Sequence, residues 1–460
     1  MEASKSKQNS LSVIRHVLLS LLLMVDLAGK AQSAHDDLLV KGDLEFLKEL
    51  TRVVLDSSRI HPGQVVAPGF GANTTGGVLI RPGGRSSYPS FWIRDYAMSL
   101  PCGFIGPEEQ RHMLLLTAAT QSDRNWITDK GGMVPLGAIA DHIRPDDGEP
   151  IYFPGTYDPV SQGDGRYGYF PPYCDQFYFI DMAYWYLRTS GRTSILDTLV
   201  KGRTILDRLE ISFGVPPVRQ GGQLVFTTEV HRGVDFGFRD VITMTGDLLM
   251  PSLLKYRAAM ELAQICDMSY RPEKASHYRD IADRLAREIP STFSDGRGML
   301  RASTGRSGQS DVWGTSLAVY WGILSGESAK NAGRRLVSAY YKGLELSRNG
   351  NVRHVLRSDD HDPRSAWEKS LVKKDDYQNG AYWGTPVGWV SVAMADVDPA
   401  AARGLLDAYI KELREGDFRQ GPGHGSPWEC FNKDVHQNAV YLATVACPYI
   451  ALSGLDRLLR

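Results

Sequence analysis

Residues 229–240 hold Glu229, Asp235 and Asp240 among His231, Arg232, Arg239, Phe236 and Phe238, with Asp247 a few positions further on. Carboxylates, guanidiniums and rings set around Gly233 and Gly237 suit proton transfer and polar recognition, although a solvated loop can have the same composition. The tripeptide Asp235-Phe236-Gly237 also occurs in protein kinases. No glycine-rich phosphate loop, paired lysine or His-Arg-Asp loop accompanies it here, so that chemistry is excluded. Four further stretches share this character, each at the start of a helical pattern. Residues 81–96 carry Trp92, Arg94 and Asp95, which could grip hydroxyls by charge-assisted hydrogen bonds over an aromatic floor. An Asp paired with Arg at a helix start is the structural alternative. Residues 171–177 carry Asp175 and Gln176, and residues 375–389 carry Gln378, Asn379, Tyr382, Trp383 and Trp389. Residues 421–432 carry Glu429 just before the last helical pattern. Any one cluster reads equally well as cap, core and turn. Five at equivalent places along the chain point to one site.

The elements that must position these clusters are helices in pairs. Apolar residues at Leu44, Phe46, Leu47, Leu50, Val53 and Val54 predict a helix over 43–55. Similar patterns predict helices near 92–104, 107–121, 174–190, 193–210, 244–267 and 272–289. Others fall near 311–324, 327–343, 382–396, 398–414 and 437–454. Turns within many pairs are short, which makes the partners antiparallel neighbours. Connections between pairs are long and rich in Gly, Asp and aromatics. Six such hairpins, closed into an inner and an outer ring, give an all-α (α/α)6 barrel of about twelve helices with its long loops gathered at one end. Residues 215–230 could form a small β-hairpin there. Residues 122–172 are a loop too long to be structureless without a function, and their tyrosines argue against disorder.

Composition narrows the function classes. The 460 residues carry a net charge of −1, which fits neither a nucleic-acid groove nor a polybasic membrane surface. The 9 Trp, 21 Tyr and 15 Phe fall largely beside Gly, Pro and Asp, and rings in polar loops suit the apolar C–H faces of sugars, or else plug the ends of a large core. Lys5, Lys7 and Arg15 precede an apolar run over 17–25, and small residues follow at 31–34, the pattern of an export signal. The expected organisation is therefore a signal peptide over 1–34 and one catalytic domain over 35–460, secreted or periplasmic, with no membrane association after cleavage. The five cysteines lack metal-ligand spacing; one disulfide is possible, and no metal or cofactor is expected. Asn73-Thr74-Thr75 is an N-glycosylation acceptor in a eukaryotic host.

With these motifs in order, the chain resembles the six-hairpin glycosidase superfamily, which includes trehalases, glucoamylases and the glucosidases that trim N-glycans. Arg81-Pro-Gly-Gly-Arg85 with the aromatic–Asp motif after it is similar to the trehalase signature, and Phe91-Trp-Ile-Arg-Asp95 to the Trp-x-Arg-Asp motif of glucoamylases. The segment from Gly233 to Phe236 resembles the one that carries the trehalase general acid, with Val234 in place of the usual Trp. Asp247-Leu-Leu resembles the Asp-Leu-Asn that follows it. Residues 378–389 resemble the family's substrate loop, and Trp428-Glu-Cys-Phe431 its late Glu motif, although the polyglycine is reduced to residues 421–425. The resemblance implies an exported, exo-acting, inverting glycoside hydrolase acting on an oligosaccharide or glycoside. Asp235 is expected as general acid, its pKa raised by Phe236, Phe238 and a closed mouth, and Glu429 as general base. Glu229 and Asp240 stand behind Asp235, and Asp434 behind Glu429. Trp92, Arg94, Asp95, Asp175, Gln378, Asn379 and Trp383 would bind the terminal sugar. Arg239 would bind substrate, orient a carboxylate or form a structural ion pair. A lyase, epimerase or unsaturated-uronide hydrolase using His231, His424 and Tyr382 is the alternative enzyme. A non-catalytic sugar binder is the alternative to an enzyme.

Overall fold

The computed structural model describes residues 38–85, 87–128, 132–152, 174–228 and 238–456. The expected signal peptide, Glu229, His231 and Asp235 lie outside them. Twelve α-helices are present among the described residues: α1 Lys41–Ser58, α2 Ile93–Ser99, α3 Pro107–Thr120, α4 Cys174–Ser190, α5 Ile205–Phe213, α6 Leu249–Met268, α7 Pro272–Phe293, α8 Val312–Tyr320, α9 Gly326–Tyr340, α10 Val387–Ala395, α11 Pro399–Glu415 and α12 Leu442–Ser453.

Side-chain character separates two kinds of helix. In α10 every residue is buried, and in α12 all but Ser453 are; a helix that is apolar all round must lie inside. By contrast, α1 buries one stripe, Leu47, Leu50, Thr51, Val54, Leu55 and Ser58, at helical spacing, and α9 buries only Ala332, Gly333, Leu336 and Ala339. Packing follows this division. The even-numbered helices touch in succession, α2 on α4, α4 on α6, α6 on α8, α8 on α10 and α10 on α12, and α12 packs back on α2. The odd-numbered helices lie against them, α1 on α12, α3 and α5 on α4, α7 on α6, α9 and α11 on α10. One buried apolar cluster runs from Leu38 to Leu452.

Several boundaries differ from the sequence expectation for local reasons. The helix expected over 193–210 is a 3-10 turn, a two-stranded ladder and then α5. Gly202 supplies a left-handed turn residue, and the Thr204 side chain caps α5 by accepting from the Asp207 amide. The helix expected from 437 begins at Leu442, because Asn438 and Val440 both have left-handed backbone (φ 46° and 61°). In place of the extra helical turn stands a sheet the sequence reading missed. Its five strands lie in the order Ser347–Arg348, Asn351–Val352, Tyr382–Trp383, Trp428–Phe431, His436–Ala439, all antiparallel. Glu429 sits on its fourth strand. The hairpin expected over 215–230 is present as a bridge between Val218 and Val225, and Phe226–Thr227 then pairs with Gly246–Asp247.

Two smaller expectations meet direct observations. All five cysteines are free and buried, so no pair forms a disulfide. Asn73 is buried, and its side-chain amide donates to the carbonyls of Ile60 and Gly77, both at 2.9 Å. The folded chain therefore does not present this amide for glycosylation.

Candidate active site

The inner helices bring their first turns to one end, and the polar residues there come from sequence far apart. Arg94 and Asp95 lie in the first turn of α2, Asp175 in the first turn of α4, and Tyr441 immediately precedes α12. The strand Phe91–Trp92 pairs with His142–Ile143, which adds Asp141 and His142. Neither was picked out in the sequence; Asp141 beside His142 in the long 122–172 loop was the available signal. The His142 Nδ1 lies 2.7 Å from Asp141, and its ring stacks on Trp92 with centroids 4.2 Å apart.

Glu429 is fully buried at the centre of this group. The Tyr88 hydroxyl lies 2.9 Å from both its oxygens, the Tyr377 hydroxyl 3.2 Å from Oε1, and the Asn438 amide donates to Oε2. Those three donors share one backbone property. Tyr88, Tyr377 and Asn438 all have positive φ, at 57°, 44° and 46°, a conformation that costs a non-glycine residue of order 1–3 kcal/mol and collects at functional sites. A carboxylate offers about four lone-pair positions. Tyr88 and Tyr377 meet Oε1, and Tyr88 and Asn438 meet Oε2, so each oxygen is held by two contacts. Burial raises the pKa of Glu429 to about 7, opposed by Asn438 and Tyr88 and reinforced by Asp95 and Asp240. Burial holds Tyr88, Tyr377 and Tyr441 well above the ordinary phenol value, so they remain donors.

Beside this cage is a second group. Arg94 lies 3.6 Å from Asp95 and 3.5 Å from Asp240, and its guanidinium sits 4.3 Å above the ring of Phe238, another residue with positive φ. Burial works against the charge of Arg94, but Asp95 and Asp240 more than offset it. Tyr441 donates to Asp95, and Gln378 donates to Asp240 while accepting from the Val241 amide at 2.8 Å. Asp240 has its pKa raised by burial, with Arg94 opposing. Asp175 is wholly buried, and neither of its oxygens has a hydrogen-bond partner among the described residues. Burial and then Asp141 push its pKa well up, with Arg94 opposing.

Trp92, Arg94, Asp95, Asp175, Gln378 and Glu429 are thus brought together, with Asp240. Other expected binders are committed to the protein itself. Arg239 is fully buried, its Nη2 2.7 and 2.8 Å from the Asp311 carboxylate, and it lies over Trp367; this is the structural ion pair. Asn379 ties its own loop, accepting from the Ala366 amide and donating to the Val372 carbonyl. Trp383 is completely buried among Phe238, Trp313, His354 and Tyr377, and so supports the rings that face the site. Tyr382 donates to the Leu344 carbonyl, and the Asp434 side chain is two-thirds exposed. Neither takes part in the cage. Among the described residues no group of three or more His, Cys, Asp or Glu side chains could hold a metal ion.

No protein-family model and no curated sequence matches the chain. Solved structures do match. The glucoamylase of Saccharomycopsis fibuligera superposes with a TM-score of 0.54 at 10% identity, covering 91% of this chain and 96% of that one. The glucoamylase of Hormoconis resinae gives 0.54 at 14% identity, covering 90% and 73%. A rhamnosidase from Klebsiella oxytoca, with rhamnose bound, gives 0.51 at 10% identity over 90% of this chain. The chain spans 64% of that rhamnosidase and 35% of a similar rhamnosidase from a Bacillus species. The chain thus shares the helical fold of these glucoamylases and rhamnosidases.

Proposed function

We propose that the protein is an exo-acting, inverting glycoside hydrolase with Glu429 as general base. The observation that carries this reading is the Glu429 cage: a buried carboxylate held by three donors on positive-φ backbone, beside the Arg94, Asp95 and Asp240 group. Glu429 takes a proton from a water molecule as the water oxygen attacks the anomeric carbon. Asp235 gives its proton to the departing oxygen as the glycosidic bond breaks. Arg94, Asp95, Asp175, Asp240 and Gln378 bind the hydroxyls of the terminal sugar over the Trp92–His142 stack. Inversion implies acid and base carboxyls about 6.5–9.5 Å apart.

A second assignment of the acid is Asp240, which is buried in the same group with a raised pKa. Arg94 and Gln378 already engage its carboxylate, which suits hydroxyl binding and leaves the acid role to Asp235. A signal peptide over 1–34 supports export from the cytoplasm; N-terminal sequencing of the mature protein, expected to begin near His35, tests it. For the activity, a screen of aryl glycosides and disaccharides identifies a responsive substrate, and NMR of the first-formed anomer reads the stereochemistry. Asp235→Asn and Glu429→Gln should each abolish turnover, whereas Asp240→Asn should chiefly raise KM. Near-normal turnover in either of the first two, or retention of configuration, refutes the mechanism.

A further inference from the structure

Tyr88 holds Glu429, and Tyr88 is itself held. Its ring meets Trp92 edge-to-face, with centroids 4.9 Å apart at 82°, an arrangement that aromatic pairs favour. Trp92 lies face-to-face on His142, at 4.2 Å and 21°. The His142 Nδ1 in turn lies 2.7 Å from the Asp141 carboxylate. A line of contacts therefore runs from Asp141 through His142, Trp92 and Tyr88 to both oxygens of Glu429. Asp141, His142 and Trp92 are all buried, so the line passes through the interior.

Backbone pairing fixes where the line starts. Trp92 and His142 are partners across two strands, and Ile151 is the partner of His142 on its other side. The Asp141 carbonyl accepts from the Ile93 amide at 3.1 Å, and the Asp141 amide donates to the Ile151 carbonyl at 2.9 Å. The main chain thus settles the place of the imidazole but not the angle of its ring. The bond to Asp141 does that. A carboxylate accepts from Nδ1–H and keeps the proton on that nitrogen, so the ring cannot turn over without breaking the bond. Trp92 then stacks on a fixed, flat partner. This matters for Glu429 because Tyr88 has left-handed backbone (φ 57°), and such a conformation persists only where the surroundings over-determine it.

On the reading of Glu429 as general base, we propose that Asp141 and His142 are positioning residues: they fix the Trp92 ring, and through it the Tyr88 hydroxyl that steadies the Glu429 carboxylate. The test needs no substrate. In each background, the melting temperature of the Glu429→Gln form minus that of the Glu429 form is followed from about pH 4.5 to about pH 9. This difference climbs with pH until Glu429 has lost its proton, at about pH 7 in the wild type, and then levels off. His142→Ala frees Trp92 and Tyr88, weakens a donor to the ionised carboxylate, and should move the levelling point up by about one pH unit. It leaves the other groups that bear on Glu429, namely Tyr377, Asn438, Asp95 and Asp240, unaltered. In a Tyr88→Phe background His142→Ala should move the point no further, because its effect runs through that hydroxyl. Asp141→Ala severs the line at its far end, should give the same upward shift, and carries the test if His142→Ala folds poorly. Asp141→Asn removes the same charge but keeps an acceptor for Nδ1, and should leave the point in place. A flat difference in the wild-type background refutes the Glu429 reading and this role with it. The positioning role alone is overturned if the point moves with Tyr88→Phe but with neither His142→Ala nor Asp141→Ala. Shifts of Tyr88→Phe and His142→Ala that add, or an Asp141→Asn shift equal to that of Asp141→Ala, overturn it as well.

Discussion

Replacing Glu429 by Gln tests the cage without any substrate, because a buried carboxylate with a raised pKa makes stability depend on pH. The ordinary value of 4.5 becomes about 7 in the fold. Between those values the folded protein holds more protons than the unfolded chain, so stability falls as pH rises through that window. At about 1.4 kcal/mol per pH unit, the ionised carboxylate costs the fold roughly 3 kcal/mol above pH 7. Gln cannot ionise, so the variant lacks this loss. It does carry a fixed penalty: its NH2 group meets Tyr88, Tyr377 and Asn438, all donors, and an unmet donor costs about 1–3 kcal/mol at every pH. The informative quantity is therefore the slope. Unfolding entropy for a chain of this length is roughly 0.9 kcal/mol per kelvin, so 3 kcal/mol corresponds to about 3 °C. The melting temperature of Glu429→Gln minus that of the wild type should rise by about that amount between pH 4.5 and 8. A difference that is flat across this range refutes the buried, pKa-raised carboxylate and with it the reading of the cage.

Two further substitutions probe the supports. Tyr88→Phe removes a donor to the ionised carboxylate, worth about 1.5–3 kcal/mol, so the acidic limb of the kcat/KM profile should move up from about 7 by one to two pH units. A limb that stays in place or moves down contradicts the donor role of Tyr88. Arg239→Met leaves Asp311 a buried, unpaired charge and should destabilise by about 3–5 kcal/mol, with KM of the surviving folded fraction unchanged. A selective rise in KM with normal stability would return Arg239 to the substrate site.

How much of this was legible in the sequence depends on whether a feature repeats. The helices did, because a buried stripe recurs every three to four residues, as on α1, and a wholly apolar run marks an inner helix such as α10. Motifs read in one dimension also located Arg94, Asp95, Gln378 and Glu429. What they could not provide was company. Trp383 and Arg239 stand in stretches composed like binding loops, and only packing shows that one is enclosed by rings and the other spent on Asp311. The cage was invisible for a related reason. Tyr88, Tyr377 and Asn438 reach Glu429 from left-handed backbone, which tyrosine disfavours and asparagine tolerates, and no propensity predicts a tyrosine choosing against its own. Where local preference fails at both tyrosines and all three side chains converge on one buried carboxylate, strain and site have a common cause: the surrounding fold holds each tyrosine against its own preference. Relaxing any one of the three should therefore loosen Glu429 before it loosens the helices.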